Sequence, residues 1–521
     1  MTGLDPTIVS ALDHTLALQR IQNDVRSDFI IAPHYSSVYT NIGNELWDEV
    51  ERDLRSGNFN PGPPITIDVP KSNGLTRPGS ILLPKDRLVY QLLVDFVAPT
   101  AEENLDRNRV FSNVLIDPPD PRMFSSSSDN WSNMRNEIRA YCESDDIHFA
   151  IKADIACFFE RLYQHNLINL LHSCGCNTNA VKLLERLLSA WMEKDSHGIL
   201  QGMFPSDFLG NFYLYGLDSD LLVRDTPFVR YVDDIYVFYE TKNQARKGLM
   251  NLCRSLRHEG LHLNAKKTRI LPVRDLLIEE TIVDRLFEEA RDEIESENVI
   301  VDWYSFQIIW QEPETREEER QIEIEATERL FHEINNTDVD AKTSEKIEKF
   351  CLPFLGFVGS EVAVQRAING MGERPHLSRL YATYLGAVAK ENEAIVNELE
   401  ELIVEQNSPY DWQTLWILAS LIPVERLKTR TVNAIFRLLR DPARSIVLRA
   451  LCAIAIGRHG SPGQRRNLKH HYADEPSEYV RSAIVFATRY FPTPERRTCL
   501  GAWGSHSDIN SLIASAVSKL V

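Results

Sequence analysis

Short apolar runs rich in β-branched residues predict strands in the first half of the chain. Residues 65–69 (ITIDV), 80–84 (SILLP) and 147–155 (IHFAIKADI) have the length and composition of strands. Over residues 228–240, FVRYVDDIYVFYE, two such runs flank a pair of aspartates. Both flanks are so apolar that we expect a β-hairpin lying within a sheet.

Segments with helical spacing of apolar residues alternate with these strands. They predict helices over residues 6–30, 86–99, 178–193 and 241–260, and a loop that becomes a helix over 197–221. Stretches rich in Pro, Gly, Asn and Ser predict exposed loops at residues 56–64 and 117–130. This mixture of strands and helices indicates an α/β or α+β first half.

The second half has a helical pattern throughout. Residues 275–350 are highly charged with helical spacing, and no strand is predicted between 375 and 521. RDPARSIVLRALCAIAIGRHG (440–460) and DEPSEYVRSAIVFATRYFP (474–492) resemble each other, and residues 507–521 look like a shortened third copy. Repeats of this kind predict a HEAT-like helical solenoid, with an irregular helical bundle as the alternative.

The net charge of −18 first argues against a nucleic-acid partner, but its distribution weakens that argument. Residues 271–350 hold 24 acidic and 9 basic residues and account for −15 of the total. The remaining 441 residues carry only −3, so the overall charge says little about any single groove.

Targeting and metal-binding signals are weak. The start, MTGLDPTIVSALDHTL, lacks the basic and apolar regions of a signal peptide, and no apolar run approaches the length of a membrane span. The eight cysteines include one close pair, Cys174 and Cys176, whose spacing does not fit a zinc site. We therefore expect a cytoplasmic protein with reduced thiols and no membrane partner.

Asp233 and Asp234 interrupt the apolar run of the predicted hairpin, and Asp154 ends another predicted strand. A turn with two solvated carboxylates is one interpretation of the pair. If the strands are neighbours, however, three carboxylates converge, and such a cluster needs a cation because like charges repel. Two Mg²⁺ ions, or Mn²⁺ in their place, would supply that charge and the chemistry of nucleotidyl transfer.

Six sequence blocks occur in the order found in reverse transcriptases, which the chain resembles over about residues 65–270. They are VPKSNGLTRPGSILLPKDRLVYQ, ADIACFF, QGMFPSDFLGN, YVDD, GLHLNAKKT and, after a gap, FLGF at 354–357. The resemblance implies an α+β palm-and-fingers polymerase, followed here by an all-α HEAT-like helical-repeat domain. It also implies an RNA-directed DNA polymerase that uses dNTPs.

Matching positions carry the family's catalytic roles to particular residues. Asp154 and Asp233 match the metal ligands, with the Ile155 carbonyl as an additional ligand, and Asp234 matches the third carboxylate. Lys267 matches the residue that protonates pyrophosphate, with a surface lysine as the alternative interpretation.

Other matching positions concern the nucleotide. Lys71 and Arg77 match residues that grip the triphosphate, or are solvated loop cations. Gln201 and Gly202 match the block under the nucleotide and template. Phe159 matches the aromatic gate that favours dNTPs over NTPs. Two further residues have local roles: Arg87 binds nucleotide or anchors its helix, and Ser206 is expected to cap the following helix.

FLGF follows Lys267 by 87 residues, and the acidic segment between them is unsuited to a thumb that holds a duplex. No RNase H, integrase or HNH-type pattern is present in the sequence. The chain therefore resembles bacterial abortive-infection and defence-associated reverse transcriptases. The expected regions are an N-terminal helical extension (1–64), fingers and palm (65–275), an acidic helical segment (276–350) and the HEAT-like domain (351–521).

Several properties follow from that resemblance as expectations. Such enzymes protect bacteria against phage, often as homo-oligomers. Some make untemplated DNA that stays attached to a priming tyrosine, for which Tyr35 and Tyr39 are candidates, with packed aromatic residues as the alternative. Others copy a noncoding RNA. A helical-repeat scaffold with an inactive palm is the interpretation from a different functional class.

Overall fold

The computed structural model describes residues 4–192, 196–277, 299–302, 307–310, 341–390 and 392–520, together with residues 324, 327, 328 and 331. The chain is divided into two compact units, each of which is discontinuous in sequence. The first comprises Met1–Asp24, Trp47–Pro64 and Lys85–Glu289, and the second comprises Val25–Leu46, Ile65–Pro84 and Ala290–Val521.

The described elements up to residue 272 combine helices with six strands, which form one two-stranded and one four-stranded sheet. In chain order they are α1 Pro6–Ala11, α2 His14–Ser27, α3 Pro33–Asn41, α4 Gly43–Ser56, β1 Ile65–Pro70, β2 Thr76–Ile81, α5 Pro84–Glu102, α6 Ser127–Cys142, β3 Phe149–Asp154, α7 Phe158–Arg161, α8 Gln164–Ser173, α9 Thr178–Trp191, α10 Phe204–Tyr213, α11 Tyr215–Val223, β4 Phe228–Tyr231, β5 Asp234–Tyr239, α12 Lys242–His258 and β6 Arg269–Pro272.

The later elements are two short strands followed by helices. They are β7 Val299–Asp302, β8 Gln307–Trp310, α13 Ala341–Val358, α14 Val364–Glu373, α15 Ser378–Val388, α16 Glu393–Glu405, α17 Asp411–Leu421, α18 Thr429–Arg440, α19 Ile446–His459, α20 Pro462–Asp474, α21 Glu478–Ala487, α22 Thr493–Trp503 and α23 Asp508–Ser518.

A four-stranded antiparallel sheet forms the centre of the first unit. Its strand order is β4–β5–β3–β6, and Asp154 at the end of β3 lies opposite Asp234 at the start of β5. One face carries alternate residues that pack with α6 in a core of Met134, Ile138, Cys142, Ile147, Ala150, Val229, Tyr236, Phe238, Leu271 and Leu276. The predicted hairpin of residues 228–240 is therefore confirmed: β5 lies inside the sheet, and β4 is one of its two edge strands.

Helix α12 packs against the opposite face of the same sheet. The Tyr239 ring fills the space beside Gly248, where a Cβ would come within 2.0 Å of the tyrosine hydroxyl. The helix starts with a capping box between Thr241 and Gln244, which satisfies backbone N–H groups that have no partner within the helix. With helices on both faces, the sheet holds its strand ends in fixed positions.

In the second unit, alternate helices stack in chain order. Helix α13 packs on α15, α15 on α17, α17 on α19, α19 on α21, and α21 on α23. Helices α19, α21 and α23 begin after Ser445, Ser477 and Ser507, whose hydroxyls each accept a backbone N–H of the first turn. The three copies identified in the sequence thus correspond to three alternate helices with the same capping residue.

Two expectations about local structure are wrong. The loop expected over 117–130 ends early, because Ser126 caps α6 and the helix starts at Ser127. The charged segment 275–350 was expected to be helical. Most of it lies outside the described residues, and within the described part Val299–Asp302 and Gln307–Trp310 form an antiparallel pair. β-Branched residues in these strands explain the difference.

No helix in the described ranges is long and apolar enough to cross a bilayer.

Candidate active site

Strand pairing brings the three predicted carboxylates to one edge of the first unit's sheet. Asp154 and Asp234 are direct partners across β3 and β5, and Tyr231 is paired with Asp234 across the hairpin. Val232 and Asp233 therefore form the two-residue turn. Val232 has a φ of 51°, a left-handed conformation that β-branched residues rarely adopt. Strained residues of this kind cluster at functional sites.

Asp154 has partners on both of its carboxylate oxygens. Lys267 Nζ lies 2.5 Å from Oδ1, and Asn264 Nδ2 donates to Oδ2 at 3.0 Å. The Asn264 backbone N–H also donates to the Asp154 carbonyl at 2.7 Å. An isolated bridge between Ile155 and Leu263 continues this contact, so the segment carrying Lys267 is fixed against the end of β3.

The charges of the cluster affect one another. Burial, followed by the neighbouring Asp234 and Asp154 carboxylates, raises the pKa of Asp233 to about 6. The pKa of Lys267 is also raised: burial opposes its charge, but the bond to Asp154 and the charges of all three aspartates outweigh burial. The three carboxylates therefore share one electrostatic environment, in which Lys267 supplies the compensating positive charge.

Among the described residues, no group of three or more His, Cys, Asp or Glu side chains is arranged to hold a metal ion. The contacts of Asp154 give a physical reason, because its oxygens already bind the Lys267 ammonium and the Asn264 amide. The donor set nonetheless fits a hard divalent cation, which prefers carboxylate oxygens. Asp154, Asp233 and Asp234 would hold it after the Lys267 ammonium moves aside.

Phe159 lies on the short helix α7, five residues after Asp154. Its ring packs against α10 at Gly210, where an added Cβ would come within 2.7 Å of Phe159 Cε1. Phe158 is 4% exposed and belongs to the core. The Phe159 ring is half-buried, and its role as a gate stays a prediction.

The residues of the QGMFPS block lead into α10. Gln201 and Gly202 lie in the loop before it, and Gly202 has a φ of 89°, which a side chain would disfavour. The expectation that Ser206 caps this helix is wrong, because the N-cap position is Met203 and Ser206 lies in the first turn. The buried Ser206 hydroxyl instead bonds the Tyr90 hydroxyl at 2.9 Å.

Arg87 acts as a structural anchor in this unit. Its guanidinium lies 2.5 Å from Asp24 Oδ2, and the same carboxylate oxygen accepts the Phe204 N–H at 2.9 Å. Arg87 is 4% exposed. Of the two interpretations left open by the sequence, anchoring of the helix is the one that these contacts support.

The two predicted triphosphate ligands lie in the second unit, in the β1–β2 hairpin. Lys71 starts the turn, and its backbone N–H donates to the Leu75 carbonyl at 2.7 Å. Arg77 lies on β2 with its guanidinium over the Phe29 ring, 5.1 Å from the ring centre. Gly79 allows Phe29 and Ile30 to pack closely on this hairpin. The nucleotide-binding role of both residues stays a prediction.

Tyr35 and Tyr39, the candidate priming residues, lie on α3 in the second unit. They are 2% and 4% exposed, and the Tyr35 ring packs edge-on against Tyr479. Burial shields both hydroxyls from solvent, and the priming role of the two tyrosines stays a prediction. The contacts favour the alternative interpretation, packed aromatic residues.

Asn264 is a site residue that the sequence analysis missed. It belongs to the GLHLNAKKT block, but its side chain was given no role. The position three residues before Lys267 was the available signal, because a turn there directs both side chains to the same carboxylate. The Lys267 N–H donates to the Asn264 carbonyl at 3.1 Å, which closes that turn.

One family model matches part of this chain. Residues 69–299 match the family described as reverse transcriptase (RNA-dependent DNA polymerase). No curated protein sequence matches this one.

Solved structures to which this chain shows some similarity include two telomerases in complex with a fragment of telomeric RNA. The Candida albicans telomerase has 11% identity and a TM-score of 0.32, and the match covers 69% of this chain and 66% of that one. The Candida tropicalis telomerase has 12% identity and a TM-score of 0.31, with coverage of 74% and 68%. This chain thus spans about two thirds of the length of those telomerases.

Residues 69–299 therefore match a reverse transcriptase domain, and this match supports an RNA-directed DNA polymerase activity.

Proposed function

We propose that this protein adds deoxynucleotides to a DNA end. The three carboxylates at the end of β3 and in the β4–β5 hairpin would carry out this reaction. The observation that carries this proposal is the direct pairing of Asp154 with Asp234, with Asp233 in the adjoining turn. When bound, two Mg²⁺ ions, or Mn²⁺, would activate the attacking hydroxyl and stabilise the leaving pyrophosphate.

The remaining groups of the site have separate tasks in this proposal. Lys267, beside Asp154, holds a proton close to where the pyrophosphate leaves and acts as its donor. Phe159 excludes a ribose 2′-hydroxyl. Gln201 and Gly202 support the nucleotide and template, whereas Lys71 and Arg77 neutralise the triphosphate. The Ile155 carbonyl would add a neutral oxygen ligand for the metal ions.

We further propose a biological role in bacterial defence against phage, in the cytoplasm and as a homo-oligomer. Two features support this role. The alternate stacking of α13, α15, α17, α19, α21 and α23 fits a HEAT-like repeat domain in place of a basic thumb. The acidic segment of residues 271–350 is unlike a duplex-binding thumb.

Whether synthesis follows a template is decided by supplying dNTPs one at a time. The purified full chain is incubated with Mg²⁺ and each labelled dNTP, with and without added RNA, and the products are sequenced. Incorporation from a single dNTP without RNA supports untemplated synthesis. A product that follows an RNA retained by the protein supports copying of a noncoding RNA. No incorporation under any condition contradicts the polymerase proposal.

Protein priming is tested in the same reaction. Label that survives denaturation and nuclease digestion on a tyrosine peptide supports covalent priming, and mass spectrometry of that peptide identifies the residue. The burial of Tyr35 and Tyr39 makes label on either of them a sign that α3 rearranges. Absence of covalent label contradicts protein priming and leaves the polymerase proposal standing.

A further inference from the structure

The turn that carries Asp233 is held by a buried polar network in the first unit. We propose that Ser112 and Arg230 are positioning residues, which fix the backbone of Val232 and thereby aim the Asp233 and Asp234 carboxylates. This inference rests on the proposed polymerase function. Ser112 and Arg230 lie outside all six sequence blocks that carry the family resemblance. Both contact Val232, which lies inside the YVDD block.

Both backbone polar groups of Val232 are bound by this network. Its N–H donates to Ser112 Oγ at 2.8 Å, and its carbonyl accepts Arg230 Nη1 at 2.9 Å. Val232 has a φ of 51°, which costs a β-branched residue conformational energy. A strained turn persists only where its surroundings determine it, and these two bonds supply that constraint.

Arg230 is itself held rigidly. It is fully buried, and its Nε and Nη2 bind the two carboxylate oxygens of Asp218 at 2.8 and 2.5 Å. Its Nη1 also donates to Asn211 Oδ1 at 2.8 Å, and Nη2 donates to the Asn211 carbonyl at 3.1 Å. The guanidinium therefore has a fixed orientation when it meets the Val232 carbonyl.

Ser112 is fixed by the same asparagine. Its hydroxyl donates to Asn211 Oδ1 at 2.8 Å, and Asn211 Nδ2 donates to the Ser112 carbonyl at 2.9 Å. The backbone on either side is also tied to Arg230, which donates to the Arg109 carbonyl and accepts the Phe111 N–H. Asn211 thus connects the two groups that bind Val232, and each named polar group in the network has a partner.

A purely stabilising role accounts less well for these contacts. A buried Arg–Asp pair often adds little stability compared with apolar residues of the same volume. Arg230 and Ser112 instead approach from two chain segments and converge on one residue, the neighbour of Asp233. The geometry is therefore that of outer residues that orient metal ligands, whose loss typically lowers metal affinity by about 10–100-fold.

A double-mutant cycle between Ser112 and Val232 tests the proposal. Mn²⁺ binding to the full chain is measured by calorimetry, and folding by thermal unfolding. We expect Ser112→Ala to weaken Mn²⁺ binding about tenfold and to raise the Mg²⁺ concentration needed for half-maximal incorporation. Glycine adopts a positive φ without cost, so in a Val232→Gly background the same substitution should cost less than about twofold.

Two arginine variants separate positioning from general destabilisation. Arg230→Lys removes the forked contacts and should also weaken Mn²⁺ binding. Arg20→Lys is the control, because Arg20 is similarly buried in the same unit and is bonded to Asp95 at 2.6 Å. If Ser112→Ala fails to fold, Ser112→Cys replaces it, because a thiol is a weaker acceptor.

The proposal is overturned if Ser112→Ala leaves Mn²⁺ affinity unchanged, if it costs the same in both backgrounds, or if Arg20→Lys has an equal effect. A wild-type chain that binds no Mn²⁺ overturns it too. The polymerase proposal fails by a different measurement: wild-type protein that binds Mn²⁺ but incorporates no dNTP contradicts that proposal, while the Mn²⁺ affinities still decide the positioning role.

Discussion

Lys267 Nζ lies 2.5 Å from Asp154 Oδ1, at the point where three carboxylates meet. In this arrangement the lysine provides the positive charge that a divalent cation would otherwise provide. The same side chain is also the proposed proton donor to pyrophosphate. These two roles make Lys267 the residue whose removal has the most distinctive expected effects.

Replacing Lys267 with alanine should lower dNTP incorporation by about 10²–10⁴-fold, the usual contribution of a positioned acid. Addition of Mg²⁺ should raise the melting temperature of the variant by more than it raises that of the wild type. The reason is that the metal-free carboxylates of the variant have lost the positive charge of Lys267. Single-nucleotide incorporation assays and thermal unfolding with and without Mg²⁺ measure the two effects.

Lys266→Ala is the matched control, since Lys266 is the preceding residue and is exposed. Its incorporation rate and its Mg²⁺ response should equal those of the wild type. Equal behaviour of the two variants would show that Lys267 is an ordinary surface lysine.

Phe159→Ala should reduce discrimination between dNTPs and NTPs by about 10–200-fold, if the ring is the gate that excludes a 2′-hydroxyl. Gly210→Ala should alter this discrimination as well, because the new methyl group would meet the Phe159 ring at 2.7 Å and displace it. The ratio of incorporation efficiencies for a dNTP and the matching NTP measures both effects.

The control is Gly372→Ala, since a Cβ at Gly372 meets no atom within 4 Å. It should leave the ratio unchanged. A Phe159→Ala enzyme that still rejects NTPs as well as the wild type does would assign the discrimination to another residue.

Asp86 gives a prediction about stability and pH. Burial raises the pKa of Asp86 to about 6, although the Gly62 N–H, Trp191 and Lys85 favour its charged form. Because the folded pKa lies above the unfolded value of 3.8, the folded state binds more protons between these pH values. The contribution of Asp86 to the free energy of unfolding is therefore lost as pH rises from about 4 to 6.

Asp86→Asn removes this titration, so only the wild type loses stability from it as pH rises. The melting temperature of the variant minus that of the wild type should therefore be larger at pH 7.5 than at pH 4.5. The change between these two pH values corresponds to an upper limit of about 2 kcal/mol, because the folded pKa of about 6 lies about 1.5 units above pH 4.5 and each unit is worth about 1.4 kcal/mol. Thermal unfolding at the two pH values measures it. A constant difference between variant and wild type would mean that Asp86 ionises normally in the folded protein.

The site could be predicted from sequence where its chemistry is local. ADIACFF and YVDD each place carboxylates beside apolar residues, which marked Asp154, Asp233 and Asp234 as candidates although neither motif decides between a site and a solvated turn. The pairing of Asp154 with Asp234 could not be derived in the same way, because it depends on strands that are distant in the chain. The sequence predicted only that the carboxylates converge if the strands are neighbours, and the family resemblance then supported that arrangement.

Other features depended on contacts that no local pattern reveals. Ser206 looked like a helix cap, but α10 starts two residues earlier at Phe204, so its hydroxyl bonds Tyr90. Ser112 had no signal at all, because its partner Val232 is 120 residues away. The strands β7 and β8 were missed because acidic residues with helical spacing surround a short β-branched run.

The central claim is that Asp233 belongs to a working polymerase site, and Asp233→Ala tests it most directly. The wild-type chain and the variant are incubated with Mg²⁺ and labelled dNTPs, and thermal unfolding confirms that both are folded. We expect the wild type to incorporate dNTPs and the variant to show no incorporation above background. Equal incorporation by the two proteins, or no incorporation by the wild type, would contradict the account.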